Sequence, residues 1–129
     1  MLPSLNKVVT TASASLPIIA IIVTFVTDQP KINAHPQNNT SIEGENVTFT
    51  CNAEGNPSPT ISWTKHGSPV HTNNDSRISF SADKKQLTIT NVNRTDRGQY
   101  RCVANNSLGN DTSIVATLNV LCKYNSILL

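Results

Sequence analysis

The 129-residue chain is poor in the residues that build chemical sites. It has three histidines, His35, His66 and His71, and none stands at a spacing from another His, a Cys or a carboxylate that makes a metal cage or a nucleophile–base pair. His66 and His71 are near enough to meet across a turn, but they read as exposed loop residues. There is no Gly-x-Ser-x-Gly elbow and no glycine-rich phosphate cradle. These absences argue against an enzyme and call for no metal or cofactor. Charge is also scarce, at 14% of residues with a net charge of +2, and the basic residues are scattered, so nothing suggests nucleic acid as a partner. With three Phe, two Tyr and one Trp, a core must be built largely from Val, Ile and Leu. No stretch shows a helical period, and no internal repeat is visible.

What the chain does show is alternation. Val47, Phe49 and Cys51 alternate with Asn46, Thr48 and Thr50, and Tyr100, Cys102 and Ala104 alternate with Gln99, Arg101 and Val103. A strand at each place turns its apolar side chains and its sulfur to one face, so both thiols point into one core. The same reading gives strands at residues 30–35 and 40–42, interrupted at Pro36, then at 45–53, 60–65, near Val70, 77–81, 86–90 with Leu87 in the core, and 99–105. The last runs over 112–120 with Ile114, Ala116, Leu118 and Val120 inward, after a hairpin at 108–111.

The combination of Cys51, Trp63, the run Asp96-Arg97-Gly98-Gln99-Tyr100-Arg101-Cys102 and the stretch from Gly55 to Trp63 resembles the immunoglobulin superfamily. Within it, the pattern is similar to the I-set type found in adhesion molecules and receptor ectodomains, over residues 30–120. The resemblance implies an all-β, two-sheet antiparallel sandwich. It implies a Cys51–Cys102 bridge between the sheets with Trp63 packed against it, and a Tyr100 hydroxyl bonded back to a nearby turn. A bridge closing about fifty residues contributes about 4 kcal/mol on the loop-entropy model. The resemblance also implies a structural ion pair between Arg77 and Asp96. The strands near 45–53, 86–90 and 77–81 join the first part of strand one in one sheet, and those at 60–65, 99–105 and 112–120 form the other.

Residues 1–28 read as targeting sequence. Between Val8 and Thr27 there is no charge, Lys7 precedes the stretch, and residues 16–26 are its densest apolar part. A cleaved signal peptide is expected; the competing reading is an uncleaved signal anchor that attaches the protein to a membrane. Either way the domain is extracellular, secreted or on the cell surface, where paired cysteines persist. Asn-x-Ser/Thr acceptors stand at Asn38, Asn39, Asn46, Asn74, Asn93, Asn105 and Asn110, with at most one of Asn38 and Asn39 used.

With no site chemistry, function falls to a surface. On the strand map Ser62, Thr64, Arg101, Val103, Val115 and Thr117 point outward from the sheet opposite Asn46, and no acceptor stands among them. This glycan-free face is the candidate binding face, with Val103 and Val115 offering exposed apolar area and Arg101 an orienting charge. Cys122 is the odd thiol; in an oxidising compartment it pairs between chains, giving a linked dimer, or with a cysteine elsewhere. Residues 121–129 read as a short, truncated linker. The chain thus reads as a protein-recognition module of cell adhesion or of a receptor or matrix ectodomain, with a homophilic or heterophilic protein partner. A secreted single-domain ligand or decoy, and a structural spacer from a longer array, are the alternatives.

Overall fold

The computed structural model describes residues 5–11 and 21–123, with side chains from residue 26 onward. Its strands are β1 (Leu5–Thr11), β2 (Ile21–Ala34), β3 (Asn39–Ile42), β4 (Val47–Thr50), β5 (Asn52–Asn56) and β6 (Thr60–Lys65). They continue with β7 (Ser68–Pro69), β8 (Ile78–Phe80), β9 (Gln86–Ile89), β10 (Gly98–Asn106), β11 (Gly109–Thr112) and β12 (Ala116–Leu121). A single 3₁₀ turn, Arg94–Asp96, is the only helical element among the described residues. Parts of the expected targeting segment, residues 1–4 and 12–20, and the tail at 124–129 lie outside the described residues. Where described, the amino-terminal stretch is strand: β1 pairs antiparallel with the start of β2, from Leu5 opposite Thr27 to Thr11 opposite Ile21. Among the described residues no helix is long and apolar enough to cross a membrane.

Two layers make an all-β sandwich. In one, β4 pairs with β9 and β9 with β8, while β5 pairs with β2. β4 and β5 are successive pieces of one chain direction, interrupted at Cys51, whose N–H donates to the Lys85 carbonyl at 2.8 Å. The other layer runs β3-β12-β10-β6-β7, with β3 parallel to β12 and β11 folded back on β10. Residues 45–53 are thus two short strands, because Cys51 leaves the β4–β9 ladder before β5 takes up pairing with β2.

The core lies where the inward sides of these strands meet. Val47, Phe49, Cys51, Ile61, Trp63, Leu87, Ile89, Tyr100, Cys102, Ala104, Ala116, Leu118 and Val120 are all buried. Cys51 and Cys102 are joined across the layers. Phe49 lies 6.4 Å from the Trp63 ring and 5.1 Å from that of Tyr100, so one aromatic ties both pins of the second layer to the first. The Trp63 indole N–H donates to the Lys84 carbonyl at 2.8 Å, which satisfies the one polar atom that this side chain carries into the core.

The final strand departs from unbroken alternation. Tyr100 is opposite Ala116, yet Val103 is opposite Thr112, so Ser113, Ile114 and Val115 face only Arg101 and Cys102. The extra residue is a β-bulge, and it flips the parity. Ser113 becomes the buried residue and Ile114, expected inward, is 64% exposed. The reason is a hydrogen bond: Ser113 Oγ accepts from the Cys102 N–H at 3.0 Å and donates to the Ile114 carbonyl at 2.8 Å. The serine side chain thereby satisfies the buried disulfide strand where the ladder is broken. The hairpin is also displaced from 108–111: Asn106 is opposite Gly109, so Ser107 and Leu108 form its two-residue turn.

Candidate recognition face

Arg77 and Asp96 close the lower end of the sandwich. Arg77 donates through both terminal nitrogens to Asp96, at 2.7 Å and 3.0 Å, and to Asp75 at 2.8 Å. Asp96 is itself buried, and one of its oxygens also accepts from the Asn93 N–H at 2.8 Å, while its carbonyl accepts from the Tyr100 hydroxyl at 2.6 Å. The hydrogen bonds it donates to the Asp96 carboxylate hold the Arg77 guanidinium well above the usual arginine range. Burial, reinforced by the Asp96 charge, pushes the Tyr100 phenol upward. The 3₁₀ turn that presents Asp96 begins at Asn93, whose side-chain oxygen accepts from the Thr95 N–H at 2.9 Å. These side chains thus bond to one another and to the backbone within the domain.

The outward side of β6, β10 and β12 is a different matter. Thr64 lies opposite Arg101 and Ser62 opposite Val103, and Thr117 lies opposite Gln99. Arg101 is exposed, and its guanidinium makes no hydrogen bond or ion pair with any described residue. Beside it is a depression of about 140 Å³ lined by Thr64, His66, Gly67, Gln99 and Arg101, with no acidic residue among them. Gly98 shapes its wall: a Cβ there would collide with the His66 imidazole, and its φ of +152° is one that side chains rarely adopt.

Two expectations for this face need correction. Val103 and Val115 are half-buried, not exposed, so they offer less apolar area than their parity implies. Nor is the face free of acceptors. Asn105 has the same parity on β10 as Arg101 and Val103, is exposed, and lies opposite Thr60 and Asn110. One end of the face therefore carries two Asn-x-Ser/Thr sites, and the uncovered part is the end around Thr64, Gln99, Arg101 and Thr117. Of the remaining acceptors, Asn38, Asn46, Asn74 and Asn93 are exposed and Asn39 is half-buried in β3.

Other concavities are less suited to a partner. A hollow of about 710 Å³ lies between residues 53–61 and 82–85, but its Asp83 carboxylate is already spent on the Ser81 hydroxyl and the Lys85 N–H. Among the described residues no group of three or more His, Cys, Asp and Glu could hold a metal. Cys122 is half-buried and unbridged; Arg94 pairs with Glu43 at 3.3 Å.

Comparison with known proteins places this geometry. The model of the immunoglobulin I-set domain matches residues 30–120. The neural cell adhesion molecule 1 of Bos taurus is 45% identical over 78 residues, covering 60% of this chain and 9% of that protein. The peroxidasin homolog of Homo sapiens is 37% identical over 97 residues, covering 75% of this chain and 6% of that protein. The chain therefore spans less than a tenth of either relative's length. The solved tandem Ig repeats of Dlar superpose with a TM-score of 0.67 at 36% identity, covering 72% of this chain and 48% of that one.

Proposed function

The chain belongs to the immunoglobulin I-set family, and from that premise we propose that it is an extracellular protein-recognition module whose contact surface is the outward side of β6, β10 and β12 around Arg101. The observation that carries the proposal is the unpaired Arg101 guanidinium beside a depression lined by Thr64, His66 and Gln99. Arginine is the charged residue most often found at energetic centres of interfaces, and here no described residue competes for its guanidinium. The adhesion-molecule relatives support a protein as the partner. Export through residues 1–28, as signal peptide or anchor, belongs to the same proposal.

A second reading is supported by coverage. Because the chain spans so small a share of its relatives, a place as one module in a longer array, serving as spacer or linker, fits the same fold. A secreted ligand or decoy, and a dimer linked through Cys122, also remain within the proposal.

Binding to a panel of cell-surface ectodomains, and self-association in solution, test the face directly. Arg101→Glu is expected to weaken the interaction about ten- to thirtyfold, the effect of losing an interfacial arginine. Ser79→Glu, exposed on β8 in the opposite layer, serves as the control and leaves it unchanged. Loss of binding with Ser79→Glu and none with Arg101→Glu would assign the contact to the other sheet.

A further inference from the structure

Several asparagines commit an amide atom to the fold, and in three of those that stand in Asn-x-Ser/Thr the committed atom is the oxygen. Asn38 Oδ1 accepts from the Thr117 N–H at 2.9 Å, Asn46 Oδ1 from the Asn91 N–H at 3.0 Å, and Asn93 Oδ1 from the Thr95 N–H at 2.9 Å. Their Nδ2 atoms donate to no described residue. Asn52 and Asn56 commit their nitrogen instead, and Asn106 commits both atoms, its Oδ1 accepting from the Leu108 N–H at 2.8 Å. Their Nδ2 atoms donate to Asn33 Oδ1, to the Val26 carbonyl, and to the Asp28 and Pro57 carbonyls. The first three asparagines stand in Asn-x-Ser/Thr; the last three do not, since Asn56 precedes Pro57, Glu54 follows two after Asn52, and Leu108 two after Asn106.

An N-linked sugar is attached through Nδ2. The new bond joins that nitrogen to the anomeric carbon of a diphosphate-activated oligosaccharide; the anomeric C–O bond breaks, the diphosphate leaves with the electron pair, and one Nδ2 proton is released. Oδ1 keeps its lone pairs throughout, so an asparagine that holds the fold by its oxygen carries a sugar at no cost in hydrogen bonds. We propose that Asn38, Asn46 and Asn93 are glycan-bearing residues that also serve as structural acceptors, and that of the neighbouring pair Asn38 is modified and Asn39 is not. Asn39 is half-buried within β3 and lies opposite Leu118, whereas Asn38 is exposed just before the strand. This inference rests on the export reading given above.

The test is the full chain expressed in glycosylating cells, with site occupancy read by peptide mass spectrometry after enzymatic release of sugar in ¹⁸O water. The expected result is label at Asn38, Asn46 and Asn93 and none at Asn39. An exported product labelled at other acceptors but bare at these three, or labelled at Asn39 in place of Asn38, overturns the inference. A chain that stays inside the cell with Cys51 and Cys102 reduced overturns the export reading itself. Stability variants check the second role separately. Asn93→Asp, which keeps an acceptor oxygen, should melt with wild type produced in non-glycosylating cells, while Asn93→Ala made the same way should melt about 4–8 °C lower, as expected for a lost cap. Coincident melting of the two variants would show that the Asn93 oxygen holds nothing.

Discussion

Replacing Asp96 with alanine should destabilise the domain more than any other single polar change in it. The side chain accepts three hydrogen bonds, two from Arg77 and one from the Asn93 N–H, and its own exposure is 6% against 22% for that of Arg77. Removing one partner of a buried ion pair costs about 3–5 kcal/mol, chiefly through the charge left behind. Arg77 keeps Asp75 at 2.8 Å and the Asn91 carbonyl at 3.1 Å and stays partly solvated, which places the expected loss near the bottom of that range, about 3 kcal/mol. Set against a total stability of about 5–15 kcal/mol, this is a large fraction. The urea midpoint should fall by about 1–3 M for a domain of this size. Trp63, the single and buried tryptophan, reports the transition by fluorescence, under non-oxidising and non-reducing conditions that leave the Cys51–Cys102 bridge intact. Pairing Asp96→Ala with Arg77→Met completes a double-mutant cycle. If the stranded guanidinium is the main cost, the double variant is more stable than the sum of the singles implies, by about 1–3 kcal/mol. Additive singles, or a loss below about 1 kcal/mol for Asp96→Ala, would refute the account of Asp96 as the closing acceptor.

Two further expectations concern the second layer. Ser113→Ala removes the acceptor of the Cys102 N–H inside the core and should cost about 1–3 kcal/mol, whereas Ile114→Thr, at the exposed bulge position beside it, should change stability by less than about 0.5 kcal/mol; equal effects in thermal melts would mean that the serine oxygen is not what holds the bulge. Tyr100 gives a pH signature. Its phenol is raised above the ordinary value of 10.0 by burial and then by the Asp96 charge, so its contribution is fully present below pH 10 and is lost as the pH rises towards the folded-state value. Tyr100→Phe should therefore lose about 1 kcal/mol at pH 8, from the missing bond to the Asp96 carbonyl, yet show a shallower decline above pH 10 in unfolding titrations than the wild type; identical alkaline declines would sink this reading.

How far these features were legible in the chain depends on what specifies each one. The strand at residues 60–65 emerges as β6 with the same limits, because Ile61 and Trp63 alternate with polar neighbours and the flanking prolines and glycine stop the pairing. The last strand fails because period-two reasoning assumes an unbroken register. Its bulge is specified by one serine bonding across to the next strand, and a hydroxyl in a run of apolar residues carries no parity signal of its own. The break at Cys51 is likewise a matter of changing partners, β9 on one side and β2 on the other, which local pattern does not encode. The position of Asn105 was open to inspection, since it shares the parity of Arg101 and Val103, and counting one step further along the strand would have placed it on the same face. The half-burial of Val103 and Val115 depends on cross-strand neighbours, which local alternation does not specify.

The distribution of committed and uncommitted groups is what ties this fold to a surface function. Cys51, Trp63, Tyr100, Asp96, Arg77 and Ser113 each have their polar or sulfur atoms satisfied within the chain, and they join the two layers or close their ends. Such residues identify the family because the sandwich needs them, and for that reason they carry no information about a partner. The Arg101 guanidinium is the converse: it bonds to no described residue, so its replacement removes no side-chain hydrogen bond or ion pair from the fold. A substitution at Arg101 that leaves unfolding unchanged and alters binding would separate the two classes of residue in one molecule. The asparagine acceptors stand between these classes, since Asn38, Asn46 and Asn93 give their oxygen to the fold and keep their nitrogen for what lies outside it. Sugar at Asn105 and Asn110 would cover one end of the β10 face and confine a partner to the end where Thr64, Gln99 and Arg101 lie. On the proposed contact face, removing the acceptors at Asn105 and Asn110 by substitution is then expected to enlarge the area open to a partner without touching the residues that hold the layers together.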